Sequence, residues 1–338
     1  MISMHRRGFL LTSGAALAAS GVRAQTAPLR KIHIGVLQTT GAGPMYIALA
    51  KGHFAREGLD AEIIPFDSAQ PLAVSIASGD LDFGATSLSA GFFNLAAQGL
   101  VRIIAAQGRD QAGFPNNGLV ASNEAYENGL RTFADIKGHR IAVATQGSAP
   151  HYCAGLLADK FGFPLTAVDL QFLKSNPNMV AGLITGQVDG AIMPSTFALA
   201  MESNKQARLI GWIGDVTPWQ LGAAYTSTRR ADADPALVNG FLRGYRMGMH
   251  DYYDAFITPD GKRRDNATAD EMLDIIAKGV DQSANILRKG ITYVDREARL
   301  ERRDVLHQIV WQKAQGLVEG SVDADALLDR RYVTFLPE

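Results

Sequence analysis

A stretch of sequence occurs twice in this chain, 107 residues apart, and that duplication limits the possible folds more than any other feature. The first copy runs from Ile32 to Ser89 and reads as three short apolar strands, at 32–37, 61–66 and 81–85, each followed by a polar loop and a helical pattern. Strands that alternate with helices imply right-handed βαβ crossovers and a parallel sheet. Shifted by 107, Ile34-Gly35-Val36 falls on Ile141-Ala142-Val143, Phe54 on Phe161 and Ile63 on Leu170. Ser78-Gly79-Asp80-Leu81-Asp82 falls on Thr185-Gly186-Gln187-Val188-Asp189 without a gap. Two α/β units of like topology, each presenting its strand-end loops, predict a clamshell of two lobes around a cleft, each lobe a mostly parallel sheet flanked by helices.

Ligands of parallel α/β sheets sit at the carboxyl ends of the strands. In the first copy those ends are the loops 38–43, 67–70 and 86–89, all rich in small or hydroxylated residues. The first loop leads into a helix with Pro44 in its opening turn, where unpaired backbone N–H groups suit an anion or a carbonyl. It lacks Lys and P-loop spacing, which argues against a nucleotide. In the second copy, strands at 140–144, 169–173 and 188–193 end in loops beginning at Thr145, Lys174 and Pro194. A further strand at 208–213 closes that lobe. His151, in the first turn of the helix after Pro150, reads as a structural histidine.

The first lobe is predicted to continue through strands at 101–106 and 119–121, with a polar, Gly-rich excursion over 108–118 near the cleft rim. The chain returns to it at a strand over 222–228. Lobe I is thus expected to comprise 31–121 and 222–338, and lobe II 133–213, with hinge crossings at 122–132 and 214–221. Asp234-Pro235 is an N-cap and first-turn proline for a helix through Phe256. Helices near 269–279, 298–316 and 323–329 form a closing layer.

The chain has 338 residues, 47% of them hydrophobic and 20% charged, enough to bury one large core or two moderate ones. A formal charge of −1 leaves no basic footprint for nucleic acid. The single cysteine, Cys153, excludes an internal disulfide and reads as a buried structural thiol. No His, Cys or carboxylate cluster has metal-ligand spacing, no G-x-S-x-G elbow is present, and nothing points to a cofactor. A non-catalytic receptor is the expectation. At the N-terminus, Arg6-Arg7 precede an uncharged run from Gly8 to Val22 that ends in small residues. This has the form of a secretory signal, too short to span a bilayer, and the arginine pair resembles a twin-arginine motif with His5 in place of Ser or Thr. Cleavage is expected after Ala24, which takes the formal charge to −4 and leaves a periplasmic protein.

Four segments carry a family resemblance: the run from Ala50 to Leu59 (AKGHFAREGL), Ser78 to Gly84 (SGDLDFG), Phe133 to Val143 (FADIKGHRIAV) and Thr185 to Ala191 (TGQVDGA). They resemble the nitrate/sulfonate/taurine and thiamine-precursor group of ABC-transporter solute-binding proteins, which have a type II periplasmic-binding fold. The likeness covers roughly residues 31–255. It implies a ligand held between the lobes and, by position, Thr39, Thr40, Tyr46, Ser68, Gln70, Ser87, Ser89, Gly147, Ser148, Tyr152, Asn176 and Ser195 as its contacts. Trp219 in the hinge segment is a candidate aromatic cap, and Arg109 a candidate charged partner. The implied function is that of a periplasmic monomer that captures a small organic solute and docks transiently on an inner-membrane ABC permease. An organic anion, a sulfonate or an aromatic or aliphatic carboxylate, suits helix N-termini from both lobes. A thiamine-precursor pyrimidine is the alternative ligand, and a menaquinone- or pyrimidine-pathway enzyme the alternative function. The pyrimidine synthases of this fold use a cysteine-rich segment, absent here. A sensory receptor presenting the same ligand is a third reading.

Overall fold

A computed structural model of the chain describes residues 28–264 and 267–337. The expected export signal, with Arg6-Arg7 and the cleavage site after Ala24, lies outside the described residues. Among those residues, two five-stranded mixed sheets form the two lobes. The first sheet holds, in spatial order, β2 (Leu59–Phe66), β1 (Arg30–Leu37), β3 (Phe83–Ser87), β10 (Trp219–Ser227) and β4 (Val101–Asp110). The second holds β7 (Asp169–Phe172), β6 (Arg140–Val143), β8 (Gly190–Pro194), β5 (Asn117–Ser122) and β9 (Ala207–Trp212).

The sequence duplication is also a duplication of hydrogen-bond register. Ile34 of β1 lies opposite Ile63 of β2 and Phe83 of β3, both parallel. Ile141 of β6 lies opposite Leu170 of β7 and Gly190 of β8, each displaced by the same 107 residues. Helix Ala69–Ser78 joins β2 to β3 as helix Asn176–Ile184 joins β7 to β8. Side-chain period in a strand is two, so a slip of one residue would have turned every apolar side chain of one copy outward.

The fourth place in each sheet is filled from the other lobe. After β4 the chain crosses over 111–116 and enters the second sheet as β5, antiparallel between β8 and β9. After β9 it crosses back over 213–218 and enters the first sheet as β10, antiparallel between β3 and β4. This corrects two expected boundaries. The strand containing Leu119–Ala121 belongs to the second sheet, and the first crossing precedes it instead of occupying 122–132. The second crossing ends before Trp219, which already pairs with Asp110 of β4. All six residues of β5 are buried, so its apolar run does not show which sheet covers it.

Helix Pro235–Phe256 starts at Asp234, whose carboxylate accepts from Leu237 N at 3.1 Å. It lays Phe241 on Phe83 in a stack 3.9 Å between ring centres. Helices Ala267–Val280, Arg302–Ala314 and Ala324–Leu327 form the closing layer, with a short helix Ala284–Lys289 that the sequence reading did not distinguish. The layer is not confined to the first lobe. The indole of Trp311 sits on Gly155 of helix Ala149–Phe161, where a Cβ would come within 2.5 Å of it. The closing layer is therefore a third physical link between lobes, besides the two crossings.

Candidate functional site

The carboxyl ends of β1–β3 and of β6–β8 open on one cleft lined by residues of both lobes. Four helices start on it: Ala69–Ser78 and Ala90–Ala97 from the first lobe, Ala149–Phe161 and Asn176–Ile184 from the second. At two of these starts, Ser68 and Ser148 do not cap the helix, so the backbone N–H groups of Ala69, Gln70 and Ala149 have no side-chain acceptor. Ser89 does cap its helix, accepting from Phe92 N at 3.2 Å. Prolines in the first turns at Pro71, Pro150 and Pro177 stand where a missing N–H costs the helix nothing. Among the described residues, the one ionisable side chain on the lining is Asp67, at its exposed mouth.

The lobes touch beside the cleft. Ala90 N donates to Gly147 O at 2.9 Å, and Gln312 Nε2 from the closing layer donates to the same oxygen at 3.1 Å. Gly147 has φ +73, and a Cβ on it would lie 2.3 Å from Ala90 Cβ, so only glycine allows this approach. Its N–H donates to His151 Nδ1 at 2.9 Å, which puts the imidazole proton on Nε2. Burial lowers the His151 pKa to about 4, and the ring stays neutral.

The hinge centres on Asp110, which is fully buried. Its Oδ2 accepts from Asn117 N and Nδ2, each at 3.3 Å, and from Trp219 Nε1 at 3.2 Å. One carboxyl thus ties the end of β4 to the starts of β5 and β10, the three strand ends that flank the crossings. Loss of water raises its pKa to about 7, against the lowering effect of the Asn117 and Trp219 hydrogen bonds. A second buried group braces the other side: Tyr152 Oη lies 2.6 Å from His307 Nδ1 and 3.3 Å from Asp304 Oδ1, while Asp304 Oδ2 accepts from Gln220 N at 2.8 Å. Burial raises the Asp304 carboxyl above its ordinary range.

Of the residues expected at the ligand, Thr39, Ser68, Gln70, Ser87, Ser89, Ser148 and Asn176 line this cleft. The others lie elsewhere, each for a definable reason. Thr40 is buried with its hydroxyl 2.9 Å from that of Thr292, which donates in turn to Asn116 Oδ1 at 3.1 Å; Asn116 lines the cleft, so Thr40 acts one step behind it. Tyr46 faces the closing layer, its ring filling the space left by Gly279. Tyr152 points into the hinge instead of the cleft. Ser195 donates to Gly290 O at 3.3 Å, joining the second lobe to the closing layer. Arg109 approaches Glu301 at 3.9 Å, Gly147 forms the closing contact, and Trp219 is buried against Asp110. A helix start fixes the general position of its first turn, but 3.6 residues per turn sends successive side chains to different faces.

The lining also includes Thr86 near the end of β3, Thr145 in the loop after β6, Asn116 from the 108–118 excursion expected near the cleft rim, and Gln107, which no sequence pattern marked. Gln107 is near the end of a strand longer than its apolar run indicated, and Asn116 lies in the crossing itself. Among the described residues, no Arg, Lys, His or Cys lines the cleft.

A family model described as NMT1/THI5 like matches residues 39–255. A 4-amino-5-hydroxymethyl-2-methylpyrimidine phosphate synthase of Schizosaccharomyces pombe is 28% identical over 175 residues, 50% of this chain and 44% of that protein. A Brucella abortus protein described as a binding protein is 29% identical over 190 residues, 56% of this chain and 54% of its own length. The match thus spans about half the length of these curated relatives. Among solved structures, the alkanesulfonate-binding protein SsuA of Xanthomonas axonopodis superposes with a TM-score of 0.69 at 18% identity, covering 89% of this chain and 98% of that one. At that identity the likeness shows a shared fold, the two-lobed periplasmic-binding-protein fold.

Proposed function

The chain belongs to the NMT1/THI5-like family, and on that footing we propose that it is the exported solute-binding component of an ABC importer. The observation that carries this reading is the cleft itself, lined by residues of both lobes and bounded by helix starts from each. Closure buries a solute, and only the liganded closed form presents both lobes to a permease in the productive arrangement. The binding-protein descriptions among its relatives and structural neighbours agree with this. An acceptor-rich or anionic end of the solute suits the uncapped N–H groups of the helix starts at Ala69 and Ala149. A sulfonate or carboxylate there would have no ionic partner on the lining.

The pyrimidine-phosphate synthase relative raises catalysis as the competing function. The described lining supplies hydroxyls and a single carboxylate exposed at the mouth, with no His, Cys or Lys to act as a buried base or covalent nucleophile. Binding without turnover is the function this chemistry supports. The test is a thermal-shift screen of sulfonates, aromatic acids and pyrimidines on residues 25–338, repeated on Ser148→Trp. A bound ligand raises native stability by mass action, and the indole should fill the cleft and remove that rise while leaving the unliganded midpoint unchanged. A ligand that stabilises both proteins equally binds elsewhere and refutes the site.

A further inference from the structure

On the first-lobe wall of the cleft, two polar atoms are buried without a partner: Thr86 Oγ1 and Gln107 Oε1. Thr86 is 1% exposed and Gln107 3%. The Gln107 amide has no freedom to turn, because its Nε2 donates both hydrogens, to Gly41 O and to Ala85 O, at 3.2 Å each. Its oxygen is therefore fixed as an acceptor. The two residues stand on β3 and β4, on either side of Gly222 in β10. A Cβ on Gly222 would meet Gln107 Oε1 at 2.5 Å and Thr86 O at 2.3 Å, so the glycine is what admits that oxygen. Folded proteins leave few such groups unsatisfied, and of those in this chain these two line the cleft, where a ligand can reach them. At the mouth of the same cleft stands Asp67, an acceptor only when ionised.

We propose that the ligand carries an N–H donor, as an amine, amide or exocyclic amino group, and that Thr86 and Gln107 read it. This rests on the reading of the cleft as a solute site. A ligand made only of acceptors, such as nitrate or a plain alkanesulfonate, would leave Gln107 Oε1 buried and unpaired and would set its charge against Asp67. An amino-bearing solute satisfies the oxygen, and its other end remains free for the helix N–H groups of Ala69 and Ala149. Discrimination by a buried polar group left unpaired is large compared with that of an apolar contact.

The experiment uses matched pairs that differ by one amino group: taurine against ethanesulfonate, 2-aminobenzoate against benzoate, and 4-aminopyrimidine against pyrimidine. Affinities are measured by calorimetry on residues 25–338 and on Thr86→Val and Gln107→Leu. The expected result is an amino member that binds at least tenfold more tightly than its partner, with the preference reduced at least fivefold in either variant. Thr86→Val removes a hydroxyl that bonds to nothing in the protein, so it should fold as the parent does even where Gln107→Leu does not. Equal binding within every pair, or a preference that both variants keep, overturns the donor inference and leaves the receptor reading standing. If no member of any pair binds, the donor inference falls for these three scaffolds. The receptor reading is then decided separately, by whether a periplasmic small-molecule extract stabilises the parent but not Ser148→Trp.

Discussion

Asp110→Asn should leave stability nearly unchanged in acid and raise it above neutral pH. The carboxyl is fully buried, its Oδ2 holds three hydrogen bonds across the hinge, and Oδ1 has no partner. Burial raises its folded pKa from 3.8 to about 7. Between those values the folded state holds a proton that the unfolded state has released, so this group's contribution to stability falls as pH rises across the window. It is constant below the unfolded value and again above the folded one. Roughly three pKa units at about 1.4 kcal/mol each correspond to about 4 kcal/mol. Asparagine has the shape of the neutral acid and keeps its oxygen for the same three donors. Near pH 4 the variant should thus match the parent to within about 1 kcal/mol, with one unpartnered O–H in the parent and an unpartnered NH₂ in its place in the variant. At pH 8 it should be more stable by about 4 kcal/mol, roughly 6 °C in midpoint for a chain of this size. Urea unfolding of both proteins from pH 4 to 8 gives the difference directly, and subtraction cancels the other titrating groups. A difference that stays constant with pH would show that Asp110 does not change its charge there, and the burial argument would be wrong.

Other outcomes follow from the same contacts. Gly147→Ala forces an alanine to φ +73 and its Cβ against Ala90 only when the lobes are closed; the best ligand of the screen should bind at least tenfold more weakly, while the unliganded midpoint falls modestly. Unchanged affinity would remove the Ala90–Gly147 contact from the bound state. Trp311→Ala empties a nearly buried indole site at the second lobe and should cost about 3–5 kcal/mol in denaturant unfolding; a loss below about 1 kcal/mol would mean the closing layer does not brace that lobe. His151 has its folded pKa lowered to about 4, so its contribution is complete above the unfolded value of 6.5 and is lost as pH falls through about 4. His151→Gln should flatten that acid limb, and an unaltered limb would assign it to other groups. Arg6-Arg7 changed to Lys-Lys should hold the protein in the cytoplasm, as fractionation and immunoblotting would show; undiminished periplasmic recovery would exclude twin-arginine export.

The sequence by itself determined the two α/β units, because the 107-residue repeat carries its hydrophobic spacing with it, down to the strand register of Ile34 and Ile141. It also located the cleft, since strand-end loops of parallel sheets must converge there: Thr39 and Ser148, far apart in the chain, line one space. Local signals such as Asp234-Pro235 gave helix starts for the same reason, that a cap acts within one turn. Only the tertiary structure decided which lobe owns β5, because a strand buried on both faces has no alternation to read. It also decided that Tyr46, Tyr152 and Trp219 serve the closing layer and the hinge, and that Gln107 lines the cleft. Those assignments depend on contacts between segments more than 100 residues apart, such as Asp110 with Trp219 and Gly147 with Gln312, and no local pattern encodes them.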